Sequence, residues 1–170
     1  MLNEEAVEHL MGDSEQTVLI KVFVADDDGP VYEELPALQK GPSTYELLSS
    51  PGLALNLAKG DLVSIIDPNT PAQVLKRGGN FCIQIYADHI PDKDITSLER
   101  EVNALLGGTL DGVHEGNLAL SVPARNGMDR LEEVFDGFTE RTGIQWYYAN
   151  IYKNFEDEDD ETLLNWWLDS

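Results

Sequence analysis

The side chains best placed to do chemistry are carboxylates, and they come in three runs. Asp26-Asp27-Asp28-Gly29-Pro30 invites a calcium reading, but a helix-loop-helix calcium site needs ligands at alternate positions and a Glu at the twelfth. Counting from Asp26, that position is Ala37, so a solvated hairpin turn is expected. Asp88-His89-Ile90-Pro91-Asp92-Lys93-Asp94 groups one imidazole with three carboxylates. A metal could be held there, yet Thr96-Ser97-Leu98-Glu99 fits a capping box, and Asp94 or Thr96 is expected to cap a helix. Glu156 to Glu161 is an unbroken run of six acids, followed by Thr162-Leu163-Leu164-Asn165-Trp166-Trp167-Leu168. That pairing of acids with adjacent tryptophans is the pattern of an arm that steers and anchors a basic partner, or of a segment folded back over the body.

Nucleophilic chemistry finds little footing. Cys82, the one cysteine, cannot form an internal disulfide and sits in a strand pattern, where a buried, inert thiol is expected. Ser121 has no His near it in sequence, and His9 and His114 stand alone in unlike segments. The chain has no phosphate-cradling glycine loop, no G-x-S-x-G, no H-E-x-x-H and no C-x-x-C. Neither an enzyme nor a bound cofactor is expected.

The net charge is −21, from 32 acidic and 11 basic residues. Nucleic-acid affinity rests on Lys and Arg neutralising phosphates, so direct nucleic-acid binding is not expected, and an anionic membrane surface is disfavoured for the same reason. The N-terminus lacks a basic region followed by a long apolar one, and no run approaches the roughly 18 apolar residues of a membrane span. A cytoplasmic protein with a basic protein partner is the expectation.

Elements must position these groups. Thr17–Val24, Val31–Leu38 and Thr44–Leu48 read as strands, Leu53–Ala58 alternates, and Leu62–Ile66 follows a Lys59-Gly60-Asp61 turn. Ala72–Lys76 is expected to pair with Phe81–Ala87 across Arg77-Gly78-Gly79-Asn80. Residues 1–80 therefore read as a strand-rich, barrel-like half, with a short amphipathic lead-in over Met1–Ser14. From Phe81 to Tyr152 the order is strand, helix, strand, strand, helix, strand. Ile95, Leu98, Val102 and Leu105 space the first helix; Met128, Leu131, Val134, Phe135 and Phe138 the second, with Gly143 as its C-cap. Ile144–Ile151 is the last strand. This is the βαββαβ pattern of ferredoxin-like domains. The fold class is α+β, with residues 153–170 an acidic, Trp-rich tail whose acids head a short helix.

The course of residues 16–152 is similar to the bacterial domain-of-unknown-function family 4265. The resemblance is carried by Asp28-Gly29-Pro30-Val31-Tyr32-Glu33-Glu34-Leu35, by a G-D-x-V strand start at Gly60-Asp61-Leu62-Val63, and by Leu106-Gly107-Gly108 after a helix. Leu110-Asp111-Gly112, Val122-Pro123, a final helix and an aromatic strand complete it. Gly52-Leu53-Ala54-Leu55-Asn56-Leu57-Ala58 stands where the family carries P-F-x-A, and the tail lies outside the match. The resemblance implies no activity. Small acidic bacterial proteins of this kind do resemble immunity proteins, which bind and block a toxin.

The functional expectation is an immunity protein that inhibits a basic protein toxin, foremost a nuclease domain such as type VI secretion delivers. Its candidate contacts are Glu156, Asp157, Glu158, Asp159, Asp160, Glu161, Trp166 and Trp167, with Asp26, Asp27, Asp28, Glu33 and Glu34 behind them. The alternative is a small-molecule sensor using an open ferredoxin-like sheet face lined by Gln84, Tyr86, Ser121 and Tyr147.

Overall fold

A computed structural model describes residues 16–169, so the Met1–Ser14 lead-in and His9 lie outside the described residues. The mixed α/β chain builds two antiparallel sheets. In β1 (Gln16–Asp26) the β-branched run alternates as a strand should: Ile20 and Val22 are buried while Leu19 and Lys21 face out. It pairs with β2 (Pro30–Gly41), Ile20 opposite Leu35, through the expected aspartate turn. Asp28 and Gly29 hold positive φ there (55° and 122°), and the Asp26 carboxylate accepts the Gly29 N–H. β3 (Thr44–Leu47), β4 (Leu62–Ser64) and β5 (Gln73–Lys76) follow in the order β1-β2-β3-β4-β5.

This half is an open meander and not the barrel-like unit its strand content suggests. Its strands shorten from 12 residues in β2 to 3 in β4 and 4 in β5, leaving too short a ladder at that edge to close on β1. Nor does Ala72–Lys76 pair with Phe81–Ala87. β5 pairs with β4, and the chain crosses to the second sheet at Gly78, whose N–H is taken by the Asp61 carboxylate at 2.8 Å.

The second sheet contains β6 (Asn80–Tyr86), β7 (Thr109–His114), β8 (Asn117–Pro123) and β9 (Trp146–Tyr148), ordered β7-β8-β6-β9. Helix α1 (Asp92–Glu101) follows β6 and α2 (Met128–Thr142) follows β8. Phe81, Ile83 and Ile85 from the central strand are fully buried against Leu98, Val102, Leu131, Phe135 and Phe138. Each such side chain contributes roughly 1.5–3 kcal/mol on burial.

Three local expectations change for identifiable reasons. Helix α1 begins at Asp92, not at a cap on Asp94 or Thr96, because Pro91 supplies the preset φ and its carbonyl accepts the Ile95 N–H at 3.2 Å. That helix ends in a π-helical turn, Val102–Leu106, and stops at Gly107 with φ 66°. The final strand is short. After Tyr148 the Asn150 side chain substitutes for the ladder, accepting the Cys82 N–H and donating to the Asn80 carbonyl, both at 2.9 Å. The C-cap at Gly143 (φ 76°) is as read from the sequence. The acidic tail forms no α-helix. Its acids lie in turns, and only Trp166–Asp169 make a 3-10 turn.

Between the sheets runs an irregular segment, residues 48–61, in place of the strand that the Leu53–Ala58 alternation suggests. Its backbone groups are claimed by side chains. The half-buried Glu33 carboxylate accepts the N–H groups of Gly52, Leu53 and Ala54 at 2.7–2.9 Å. From the other sheet, Gln84 donates to the Pro51 and Ala54 carbonyls. Ala54 and Leu57 complete the first sheet's core, while Ala58 packs with Cys82 and Ala149.

Candidate functional site

The acid run is a loop held at both ends rather than a free arm. Leu164 N–H donates to the Ile151 carbonyl and Lys153 N–H to the Thr162 carbonyl, both at 2.8 Å, around a Tyr152–Leu163 bridge. Within the loop, short side chains organise their own backbone: Asp157 accepts the Asp159 N–H and Asp160 the Thr162 N–H, each at 3.0 Å. The bonds from Thr162 hold the Asp160 carboxyl below its ordinary value.

Beyond the bridge the chain anchors on the core. Trp166 and Trp167 sit 5.3 and 5.6 Å from the Phe81 ring and 5.6 Å from one another. The Trp166 indole N–H donates to the Asn150 carbonyl at 2.8 Å, and the Arg77 guanidinium lies 5.8 Å above its ring. Both tryptophans thus have their rings packed on the body, which fixes the acidic loop from its C-terminal side.

The loop borders a cleft of about 630 Å³. Asp157, Glu158, Asp160 and Glu161 line it from the loop, Tyr86 and Tyr147 from the second sheet, and Leu55 from the irregular segment. Tyr86 is 43% exposed and Tyr147 51%, with ring centroids 6.0 Å apart. The Tyr86 hydroxyl donates to Gln84, and burial pushes its phenol up to about 12, so it remains neutral at physiological pH. Phe155 and Leu55 also line a neighbouring hollow of about 320 Å³, together with Asp26 and Glu156. The hairpin aspartate and the acidic loop, 130 residues apart in sequence, therefore meet on one face.

Other expected contacts fall elsewhere. Asp27, Asp28 and Asp159 are exposed on their turns. Glu34 is exposed beside a separate hollow of about 190 Å³. Glu33 is occupied with the three N–H groups of the irregular segment, so its carboxylate is a structural clamp.

The sheet face proposed for a sensor is split. Gln84 (1% exposed) and Ser121 (2%) are sealed beneath residues 48–61, whereas Tyr86 and Tyr147 stay open. Ser121 belongs to a buried network: its hydroxyl donates to Asp111 and lies 2.6 Å from the Ser50 hydroxyl, while Asp111 accepts the Ser50 N–H at 2.8 Å. Both hydroxyls are committed to holding the irregular segment on β8. Cys82 is fully buried, its thiol donates toward the Pro51 carbonyl, and burial pushes its pKa far up, leaving negligible thiolate. Among the described residues no three His, Cys, Asp or Glu side chains group so as to hold a metal ion, Asp88–Asp94 included, and no helix is long and apolar enough to cross a membrane.

Sequence reasoning missed Tyr152 and Phe155, whose only signal is aromatic residues directly flanking the acid run. It also missed Ser50 and Asp61, short polar residues beside a proline and a glycine that read as ordinary turns, and Asp111, which reads as part of a strand.

No curated protein matches the chain. A crystal structure of a hypothetical protein from Neisseria gonorrhoeae is similar in fold, with a TM-score of 0.57 and 21% sequence identity over 79% of this chain and 94% of that one. A family model, the domain of unknown function DUF4265, matches residues 33–146, a span that takes in Glu33, Asp61 and Tyr86 but not Tyr147 or the acidic loop. The chain belongs to that family.

Proposed function

We propose that this is a non-enzymatic, cytoplasmic binding protein of the immunity type, which blocks a basic protein toxin, foremost a nuclease domain, by covering the groove that holds nucleic acid. The observation that carries this reading is the acidic loop pinned at both ends, with Asp26 on the same face. A preorganised array of carboxylates loses little entropy on binding and steers a basic partner at long range. The C-terminal half is read here as ferredoxin-like, since β7-β8-β6-β9 with helices after β6 and β8 is the order of a split βαβ sheet. In that reading the sheet is a scaffold and the edge carries the function. Neither nucleic acid nor a membrane is a direct partner. Co-expression with a toxin encoded beside this gene tests the proposal: rescued growth and a stable co-purified complex are expected, and undiminished toxicity would refute it.

A second reading, small-molecule sensing, draws on the tyrosine-lined cleft of about 630 Å³, a volume typical of ligand sites. Thermal-shift screening against a metabolite library separates it, because a sensor is stabilised by a small molecule without any protein partner.

A further inference from the structure

We infer that the cleft between Tyr86, Tyr147 and the acidic loop is a receptor for an arginine side chain carried on an extended segment of a protein partner. The inference deepens the binding reading above by assigning the group recognised, and rests on that reading only for the identity of the partner.

The two tyrosine rings lie 6.0 Å apart with their planes inclined at 42°, and each is about half exposed. Two tilted, half-exposed rings side by side on the wall of the cleft offer aromatic surface against which a flat cation can lie. A guanidinium within about 6 Å of a ring centroid is attracted by the ring's negative face. The fold already uses this contact once, where the Arg77 guanidinium sits 5.8 Å over Trp166. Together with the tyrosines, Asp157, Glu158, Asp160 and Glu161 line the same cleft, and no basic residue is among the described residues lining it. Lys153, at the pinned base of the loop, is the cation felt by Asp160. Each carboxylate is a planar acceptor that a guanidinium fork can pair with bidentately, which a compact ammonium cannot do, and Asp157 and Asp160 each spend one oxygen on a loop N–H.

Three features favour a side chain on a protein segment over a free cation. The cleft, at about 630 Å³, is several times larger than a guanidinium and leaves room for flanking backbone. Its carboxylates outnumber the charge of one arginine. And the adjoining hollow, reached past Phe155 and Leu55, carries two further acids, Asp26 and Glu156, along the path a continuing basic segment would take.

The test uses the full chain and a six-residue probe, Gly-Gly-Arg-Arg-Gly-Gly, with a citrulline twin that keeps the shape of arginine but not its charge, a lysine twin, and spermidine. Calorimetry and amide NMR shifts are read in moderate salt. The arginine peptide is expected to bind, shifting resonances of Tyr86, Tyr147 and residues 157–161, with the lysine twin several-fold weaker and the citrulline twin silent. Tyr147→Ala is expected to weaken binding roughly five- to tenfold, and Tyr147→Phe, which keeps the ring, to restore it. Glu158→Gln is expected to weaken binding and flatten its salt dependence. Equal binding of the arginine and lysine twins, indifference to Tyr147→Ala, or tighter binding of spermidine than of the peptide each overturns the inference. Because no toxin enters the assay, failure here leaves the inhibition proposal standing, and failure of the co-expression experiment leaves the cleft assignment standing.

Discussion

The Asp61 carboxylate accepts the N–H of Gly78 at 2.8 Å, joining the end of the irregular segment to the crossing between the two sheets. The same carboxylate takes the Ala58 N–H at 3.0 Å and faces the Arg77 guanidinium at 3.6 Å, all with Asp61 fully buried. Burial outweighs these partners and raises its pKa from 3.8 to about 6. The folded chain therefore holds this proton more tightly than the unfolded chain does. Stability is expected to rise as pH falls through 6 and to level off below about 3.8, with Asp61 contributing up to about 3 kcal/mol. Urea denaturation at pH 7.5, 6 and 5 on the wild type and Asp61→Asn separates this from general relief of charge repulsion. The component centred near pH 6 is expected to vanish in the variant, and parallel pH slopes would sink the assignment.

Gly78 is required by space. A Cβ there would overlap the Gly60 backbone, which cannot move without breaking the Asp61 contacts. Gly78→Ala is expected to cost more than about 2 kcal/mol or prevent folding. Gly41→Ala, whose Cβ meets only Thr44 at 3.7 Å, is expected to stay within about 0.5 kcal/mol. The two variants measured side by side by thermal unfolding check the claim.

Glu33 clamps three consecutive N–H groups, so its removal leaves the irregular segment short of acceptors on its first-sheet side. Glu33→Ala is expected to lose about 2–3 kcal/mol, and Glu33→Gln, which keeps one acceptor oxygen, about half of that. Chemical denaturation measures both. A Gln variant as stable as the wild type would show that the carboxylate's second oxygen contributes nothing, and equal losses would show that one retained oxygen cannot hold the segment.

The acidic loop owes its fixed shape to the tryptophans behind it. Trp166→Ala removes the ring against Phe81 and the bond to Asn150, at an expected cost of about 2–4 kcal/mol for a partly buried aromatic. Amide exchange at Lys153 and Leu164, which close the base of the loop, is expected to accelerate more than exchange in β6. Uniform acceleration throughout would mean that the loop holds itself without the anchor.

Cys82 is expected to resist thiol reagents in the native state at pH 8 and to react fully in denaturant. Its modification rate should follow global unfolding. Rapid labelling of native protein would contradict its burial beneath Pro51.

The residues of the second sheet were readable because their patterns are local. Phe81, Ile83 and Ile85 alternate within one strand, and Leu131, Val134, Phe135 and Phe138 recur at helical spacing, so each element declares its buried face. The aspartate turn and the Gly143 cap were legible for the same reason: a positive φ or a short polar side chain acts within a few residues. The failures occurred where a distant side chain outcompetes local preference. Leu53–Ala58 alternates like a strand, yet Glu33 and Gln84 capture its backbone from both sheets. Ala72–Lys76 could pair forwards or backwards, and the Asp61–Gly78 bond decides for β4.

The same division governs the candidate site. The sequence by itself determined that the protein is strongly acidic, that six acids stand beside two tryptophans, and that Cys82 is a poor nucleophile, since charge and strand periodicity are properties of composition and near neighbours. Only the tertiary structure decided that the acids form a pinned loop, that the tryptophans face the core, and that Tyr86, Tyr147, Asp26 and Glu156 gather around Leu55 and Phe155. Those meetings depend on contacts between residues far apart in the chain, whose closure is favourable only once both sheets and the segment between them are in place.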